Sequence, residues 1–222
     1  MMSGARRAGR VLLGFACALS LVGCLGGGPV PPDRFYMLPR VTPERPLPAP
    51  LVAGTLGVDR LRADGLREER AMLYIDSAHP LQVRRYHYHH WAAVPGELIQ
   101  QNLIDYLRAA RAAPRVMRGA PDLSVKARVT GRVLRLERIV GEDGVRVDVT
   151  LELYLSPASS SWESARAPGV GGDYHASVAA SDRTMHATVE AYGRALDTIY
   201  ARFIRDAAAA TVERPGKTAR GD

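Results

Sequence analysis

The sequence has very few cysteines and almost no lysine. Among its 222 residues, the only cysteines are Cys17 and Cys24, and the only lysines are Lys126 and Lys217. Because both cysteines lie within the first 24 residues, the rest of the chain can form no disulfide, and no thiol there can act as a nucleophile or a metal ligand. We therefore expect packing alone to stabilise the folded part of the chain.

The sequence also lacks the short motifs of several enzyme classes. It contains no Gly-x-Ser-x-Gly nucleophile motif, no Gly-x-x-x-x-Gly-Lys phosphate loop and no His-Glu-x-x-His zinc motif. A few ionisable residues in the last quarter of the chain have no arrangement typical of catalysis: Asp173, His175, Asp182 and His186. We predict no catalytic residues and no cofactor.

The basic residues are spread along the chain rather than concentrated. The formal net charge is +7, and arginine supplies nearly all of the basic residues. These arginines alternate with apolar residues along the predicted strands, which is typical of a solvated sheet face, whereas a nucleic-acid-binding protein concentrates its basic residues in a stripe. We therefore predict no nucleic-acid partner. Weak attraction to anionic lipid headgroups is compatible with this charge.

One apolar segment stands out at the N-terminus. Three arginines within residues 5–10 precede the apolar run 11–22, and Gly23 and Cys24 follow that run. This order is typical of a bacterial export signal. The final residues Leu21-Val22-Gly23-Cys24 resemble a lipobox, the recognition sequence of lipoprotein signal peptidase. That resemblance implies cleavage between Gly23 and Cys24, with acyl chains on Cys24.

Two other interpretations of this segment remain open. It could be a signal anchor that stays in the membrane, although its apolar run of about a dozen residues is shorter than the roughly 20 that span a bilayer. It could also be an ordinary secretory signal that is cut elsewhere. Cys24 would then be a lone thiol near the mature N-terminus, which is unsuited to an oxidising compartment. We favour the lipoprotein interpretation.

The chain therefore divides into four predicted parts. Residues 1–23 are the signal peptide, residues 24–33 a lipidated tether, residues 34–210 the folded domain and residues 211–222 a disordered tail. The tether is rich in glycine and proline, and at about 3.1 Å per residue it reaches roughly 30 Å. The folded domain should therefore lie close to the membrane that holds Cys24.

Hydrophobic patterning in the folded domain predicts strands, a helix, further strands and a final helix. The predicted strands are a short edge strand at 34–38 and others at 55–61, 71–75, 81–88, 125–133, 145–155 and 174–178; the helices are 95–112 and one from about 185. This order implies an α+β domain of two layers, with two amphipathic helices packed on one face of a mainly antiparallel sheet.

Smaller features of the sheet are also predicted. The sequence Gly141-Glu142-Asp143-Gly144 indicates a hairpin turn. Gly131 interrupts an alternating strand and is predicted to mark a bulge. In the strand 145–155, we expect the polar residues to face solvent: Arg146, Asp148, Thr150 and Glu152. Asp182 or Thr184 is predicted to cap the final helix.

A cluster of aromatic and histidine residues extends from Tyr86 to Trp91. His87 and His89 would share one strand face and could bind a metal ion, while His90 would face the other way. A zinc site needs three or four ligands, and the others would have to come from elsewhere in the chain: His79, His175 or His186. We therefore predict no metal site.

The aromatic residues of this cluster have a different predicted role. We interpret Tyr86, Tyr88 and Trp91 as a corner that anchors the strand to the following helix and as a candidate partner surface. The histidines would then line a polar surface around this corner.

These segments resemble the ABC-type transport auxiliary lipoproteins, which are PqiC-like proteins. The resemblance is carried by four stretches of residues: Leu56–Leu61, Met72–Tyr74, Tyr86–Trp91 and Pro95–Ile99. Phe35–Leu38 also resembles the aromatic strand with which those domains begin. The resemblance covers about residues 34–207. One departure is the histidine-rich corner, since the family more often has an arginine before the tryptophan.

The resemblance implies a non-catalytic component of the bacterial envelope. Such lipoproteins work beside an ABC permease and ATPase complex and a periplasmic MCE-domain protein, with lipid, phospholipid included, as the proposed cargo between inner and outer membranes. Leu25, rather than aspartate, follows Cys24, which favours transfer to the inner leaflet of the outer membrane. Two alternatives remain: an assembly lipoprotein that seats an outer-membrane barrel, and an enzyme tethered to the envelope.

Overall fold

The structure is a computed structural model that describes residues 31–119, 124–158 and 169–212, with side chains as far as residue 210. The predicted signal peptide, Cys24, most of the tether and residues 213–222 lie outside the described residues. None of the helices in the described part combines the length and the apolar character that crossing a bilayer would require.

Within the described ranges, nine strands form one mixed sheet. The strands are β1 (Arg34–Tyr36), β2 (Thr55–Val58), β3 (Arg62–Ala63), β4 (Ala71–Asp76), β5 (Val83–Trp91), β6 (Arg115–Arg118), β7 (Ala127–Gly141), β8 (Gly144–Pro157) and β9 (Val170–Ala179). Their spatial order is β1-β5-β4-β7-β2-β6. β3 also pairs with β7, and β8 and β9 extend the sheet from the other side of β7.

The long strand β7 organises this sheet. Along one side it pairs in parallel with β2, β3 and β4 in turn, and along the other it pairs antiparallel with β8. β7 and β8 form the predicted hairpin: Gly141 pairs with Gly144 around a turn of two residues, and Gly144 has a positive φ of 138°, which favours glycine. The predicted α+β class is confirmed, and its sheet is mixed because the short early strands join β7 in parallel.

Two helices cover one face of the sheet. They are α1 (Pro95–Ala109) and α2 (Met185–Val212). Proline suits the first turn of α1 because the first helical N–H groups have no partner within the helix. The predicted cap of α2 is also present: Thr184 Oγ1 accepts a hydrogen bond from the Ala187 N–H at 3.2 Å, and an Asp182 carboxylate oxygen accepts one from the Thr184 N–H at 2.6 Å.

The core lies between this sheet face and the helices. The rings of Tyr106 in α1 and Tyr200 in α2 lie 5.1 Å apart, so the helices contact each other above the sheet. The largest fully buried side chains of this core include Trp91, Tyr106, Tyr192, Tyr200 and Phe203. Gly96 in α1 packs so closely on the Leu61 carbonyl that a Cβ at this position would lie 2.1 Å from the oxygen.

The predicted bulge lies at a different residue. Gly131 pairs in register with Leu153, and the register of β7 against β8 shifts between Val133 and Arg135 instead. The glycine is explained by a close approach, because a Cβ at Gly131 would lie 2.2 Å from the Glu152 carbonyl oxygen. The shift changes which residues of β7 face the helices.

Behind the sheet, on the face opposite the helices, lies a buried ionic cluster. Glu137 has an exposed fraction of 0%. Its carboxylate accepts a hydrogen bond from Arg67 Nε at 2.6 Å and lies 3.4 Å from Arg135 Nε. Arg67 reaches it from a 3-10 helix, Gly65–Glu68, that lies over this face.

Asp148 belongs to the same cluster. It pairs across the ladder with Glu137 and is buried, so the prediction that it faces solvent is wrong. Its carboxylate accepts a hydrogen bond from Ser177 Oγ at 2.6 Å and lies 3.4 Å from nitrogen atoms of Arg135 and Arg146. These hydrogen bonds and cations allow a carboxylate to be buried here.

Candidate functional site

The structure separates the three aromatic residues of the predicted corner. Trp91 is buried in the core and contacts the ring of Tyr192 edge-on, at 5.3 Å between ring centroids. Tyr86 is half-buried, and its ring lies 4.5 Å from that of Tyr74 in β4. Tyr88 is exposed. The corner is therefore part core and part surface.

Tyr86 also contacts a residue that sequence analysis missed, the buried Arg138. The guanidinium of Arg138 donates to Thr188 Oγ1 at 3.0 Å, to the Arg183 carbonyl oxygen at 2.6 Å and to the Tyr86 hydroxyl. Among the described residues, no carboxylate forms an ion pair with it. Burial raises the pKa of Tyr86, and the positive charge of Arg138 opposes that rise. Arg138 thus links β5, β7 and the start of α2.

The three histidines of the cluster have different partners. His89 Nδ1 lies 2.9 Å from the Tyr36 hydroxyl. His90 Nε2 lies 3.0 Å from the His87 carbonyl oxygen and 3.7 Å from the Asp33 carboxylate. His87 is exposed. No group of three or more His, Cys, Asp or Glu side chains that could bind a metal ion occurs in the described ranges.

We predict that His89 makes the stability of the domain depend on pH. Burial lowers the pKa of His89, and the positive charges of Arg34 and Arg138 lower it further. Because an unfolded histidine titrates near pH 6.5, the unfolded chain binds this proton more readily. The contribution of neutral His89 to the free energy of unfolding is therefore complete above that pH, and it is lost as the pH falls through the lower pKa of the folded state.

The measurement is urea unfolding of the wild type and His89→Gln between pH 8 and pH 5. The variant should lose less stability on acidification than the wild type does. The exposed neighbour supplies the control, and His87→Gln should follow the wild type at every pH. Parallel curves for the wild type and His89→Gln would contradict the prediction.

On the surface of the corner, apolar and cationic side chains lie side by side. We call Arg34, Phe35, Met37, Arg70 and His90 the β1 surface. Phe35 is 56% exposed and Met37 is 72% exposed. The Phe35 ring lies 5.7 Å from that of His90 and 5.1 Å from the guanidinium carbon of Arg70. Neither arginine of this surface forms an ion pair with a carboxylate of the described residues.

The β1 surface includes the open edge of the sheet. At the other two outer strands, arginines of the helices cap carbonyl oxygens: Arg194 and Arg202 donate to β9 at 2.9 and 3.1 Å, and Arg108 donates to β6 at 2.9 Å. In β1, the Tyr36 carbonyl oxygen accepts from the Ala92 N–H at 2.7 Å, so the backbone of Phe35 points away from β5. Uncapped edges of this kind can pair with another chain.

The scattered ionisable residues do not form a site together. Asp182 caps α2, and His186 lies 3.3 Å from Glu190 within that helix. His175 contacts Thr150 at 3.1 Å across the β8–β9 ladder. Asp173 pairs with Glu152 farther along this ladder.

Comparison with known proteins relates the chain to solved structures only. No family model matches it, and no curated protein matches it. Protein XCC0632 from Xanthomonas campestris, described as family-model DUF330, aligns with a TM-score of 0.67 and 17% identity over 84% of this chain and 100% of that one. This chain shares its fold. An uncharacterized protein aligns with a TM-score of 0.56 and 13% identity over 82% of this chain and 99% of its own.

A third solved structure aligns much less well. It is a putative lipoprotein from Caulobacter crescentus CB15, with a TM-score of 0.31 and 15% identity over 55% of this chain and 86% of that one. The first two alignments, which cover nearly the whole folded domain, establish the fold alone at these levels of identity.

Proposed function

We propose that this protein is a lipid-anchored, non-catalytic accessory component of an ABC/MCE-type lipid transport system in the bacterial envelope. The observation that carries the proposal is the fold shared with the DUF330 protein over 84% of a chain whose predicted export signal ends at Gly23, directly before Cys24. DUF330 is the family to which PqiC-like lipoproteins belong. The residues that resemble that family lie in the folded domain that the structure describes.

The proposed role follows from the predicted anchor and its short tether. Stable residence at a membrane needs more than one acyl chain, and a lipoprotein anchor on Cys24 would supply them. We expect the tether to hold the domain at the inner leaflet of the outer membrane. The domain would there meet a periplasmic MCE-domain protein and, through it, the permease and ATPase complex.

We predict that Cys24→Ser abolishes lipidation in the native host. Because the thiol is the acyl acceptor, the variant should remain an uncleaved precursor without acyl chains. Intact-protein mass spectrometry of the membrane fraction should find the wild type cleaved before Cys24 and carrying acyl chains. Cys17→Ser is the matched control, since Cys17 lies inside the signal and should be dispensable. A wild-type mature protein with an unmodified Cys24 would overturn the anchor.

The transport role is tested separately, by crosslinking in the native host followed by purification of the lipidated protein. An MCE-domain protein and a permease or ATPase subunit should co-purify, and deletion of the gene should change outer-membrane permeability and lipid composition. Recovery of an outer-membrane barrel instead would favour the assembly lipoprotein. Unchanged lipid composition with no MCE-domain partner would count against the transport role.

A further inference from the structure

We propose that the β1 surface contacts the anionic headgroup region of the membrane that holds the anchor. This inference rests on the lipid anchor of the proposed function and adds an orientation to it. The domain would not hang freely from its tether. It would lie with β1 against the bilayer, so that its other surfaces face the periplasm.

The apolar part of the β1 surface suits an interface between water and lipid. Phe35 and Met37 are more exposed than most large apolar side chains of a folded domain. Phe35 lies in β1, and Met37 directly follows the last residue of that strand. Phenylalanine and leucine side chains of interfacial segments bury at the boundary between headgroups and acyl chains. Insertion of both side chains would remove apolar surface from water without any change in the fold.

The charged part gives the surface its preference for anionic lipid. The Arg70 guanidinium lies over the Phe35 ring, and Arg34, adjacent to Phe35 in the edge strand, leaves β1 on the opposite side, next to His89. Arg70 is fixed there because its Nε donates to the Trp91 carbonyl oxygen at 3.1 Å. The nearby acid, Asp33, lies 3.7 Å from His90. The two arginines are therefore available to lipid phosphates, and arginine binds phosphate through several N–H donors.

The course of the chain places this surface beside the anchor. Only residues 25–33 separate Cys24 from Arg34, and at about 3.1 Å per residue they keep β1 within roughly 30 Å of the bilayer. The tether does not hold the turn before β5 as close to the bilayer as it holds β1. Leu81 in that turn is fully exposed and precedes the nine residues of β5, which span about 30 Å at roughly 3.3 Å per residue.

The same open edge would also fit an extended strand of a partner protein. Membrane contact is favoured because the surface combines unpaired arginines with apolar side chains and begins where the tether ends. A partner strand would need only the backbone N–H and C=O groups of Phe35. Its pairing would require neither the arginines and apolar side chains nor a position at the end of the tether. The two occupants predict different environments for a probe at position 37.

The experiment places a nitroxide label at position 37 through Met37→Cys. With Cys17 removed and Cys24 acylated, the introduced thiol is the only free one. The lipidated protein, checked by mass spectrometry, is reconstituted into vesicles of phosphatidylcholine with or without phosphatidylglycerol. Accessibility of the label to oxygen and to a water-soluble nickel complex reports its depth. Leu81→Cys provides a control at another exposed apolar residue, in the turn before β5.

We expect the label at position 37 to lie in the headgroup region of vesicles with phosphatidylglycerol, and the label at position 81 to lie in water. Arg34→Gln with Arg70→Gln should move the first label towards water. Two aqueous labels on a protein with acylated Cys24 would overturn the proposal and leave the anchor intact. Shielding of position 37 only after an MCE-domain partner is added would also overturn it. An unmodified Cys24 would instead remove the proposed function on which the inference rests.

Discussion

Replacing Trp91 with alanine should destabilise the folded domain by about 3–5 kcal/mol, the range for a large aromatic side chain truncated in a core. Trp91 is only 2% exposed, and its ring contacts Tyr192, which is fully buried. It therefore joins the end of β5 to α2 as well as filling the core. Urea unfolding of the mature protein measures the loss, and the melting temperature should fall by roughly 2–4 °C for each kcal/mol in a domain of this size.

Tyr88→Ala is the matched control, because sequence analysis placed Tyr88 in the same corner. Tyr88 is exposed, and within the described ranges its ring contacts only that of His87, at 6.4 Å. Its truncation should change the free energy of unfolding by no more than about 0.5 kcal/mol. Equal losses in the two variants would show that Trp91 is not the residue that holds the corner.

Local sequence patterns predicted the features that depend on interactions between residues close together in the chain. The first helix was predicted to start at Pro95, and it does, because proline suits only the first turn of a helix. The turn at Gly141–Gly144 and the capping of α2 by Thr184 also follow from neighbouring residues. Each of these features needs contacts within a few residues, and the sequence displays such contacts directly.

The parallel pairings were not predictable in this way. β3 has two residues and β6 has four, so neither shows a periodic pattern. Their positions are set by distant partners: β2 pairs with both β6 and β7, and β3 pairs with β7 alone. A pattern of alternating residues indicates that a segment is a strand, but it does not indicate the direction of its neighbour.

Two polar residues that sequence analysis missed, Glu137 and Arg138, lie in the part of β7 beyond the predicted strand 125–133 and beyond the register shift. Before it, Val129 and Val133 face the core; after it, Leu136 and Arg138 face the helices and Glu137 faces the opposite side. The shift moves every later side chain by one position. The sequence alone therefore placed neither Arg138 behind Tyr86 nor the carboxylate of Glu137 inside the molecule.

The candidate surface was also only partly predictable. The aromatic strand at Phe35 was expected, and its exposure follows from its place at the sheet edge. Arginines from the helices cap carbonyl oxygens of β9 and β6. The edge at β1 is open because none of the described residues caps it. These capping bonds join residues that are 8 to 27 positions apart in the sequence, and no local pattern shows them.

The buried cluster behind the sheet should respond unequally to loss of its positive and negative members. Arg67→Met removes the cation closest to Glu137 and keeps a stem of similar length. It leaves a carboxylate with 0% exposure beside Arg135 alone, so we expect a loss of about 3 kcal/mol. Glu137→Gln leaves arginine side chains that are 29% and 42% exposed. Water can solvate these, and the loss should be only about 1–2 kcal/mol.

Urea unfolding of both variants distinguishes this account from the simpler one, in which an ion pair loses the same energy whichever partner is removed. Asp64→Asn is the control, because the Asp64–Arg132 pair is exposed and surface pairs contribute little. A larger loss for Glu137→Gln than for Arg67→Met would mean that water reaches the carboxylate. A larger loss for Arg67→Met, which we expect, would show that the 3-10 helix at Gly65–Glu68 is needed to stabilise the sheet. This helix supplies the Arg67 that allows Glu137 to be buried there.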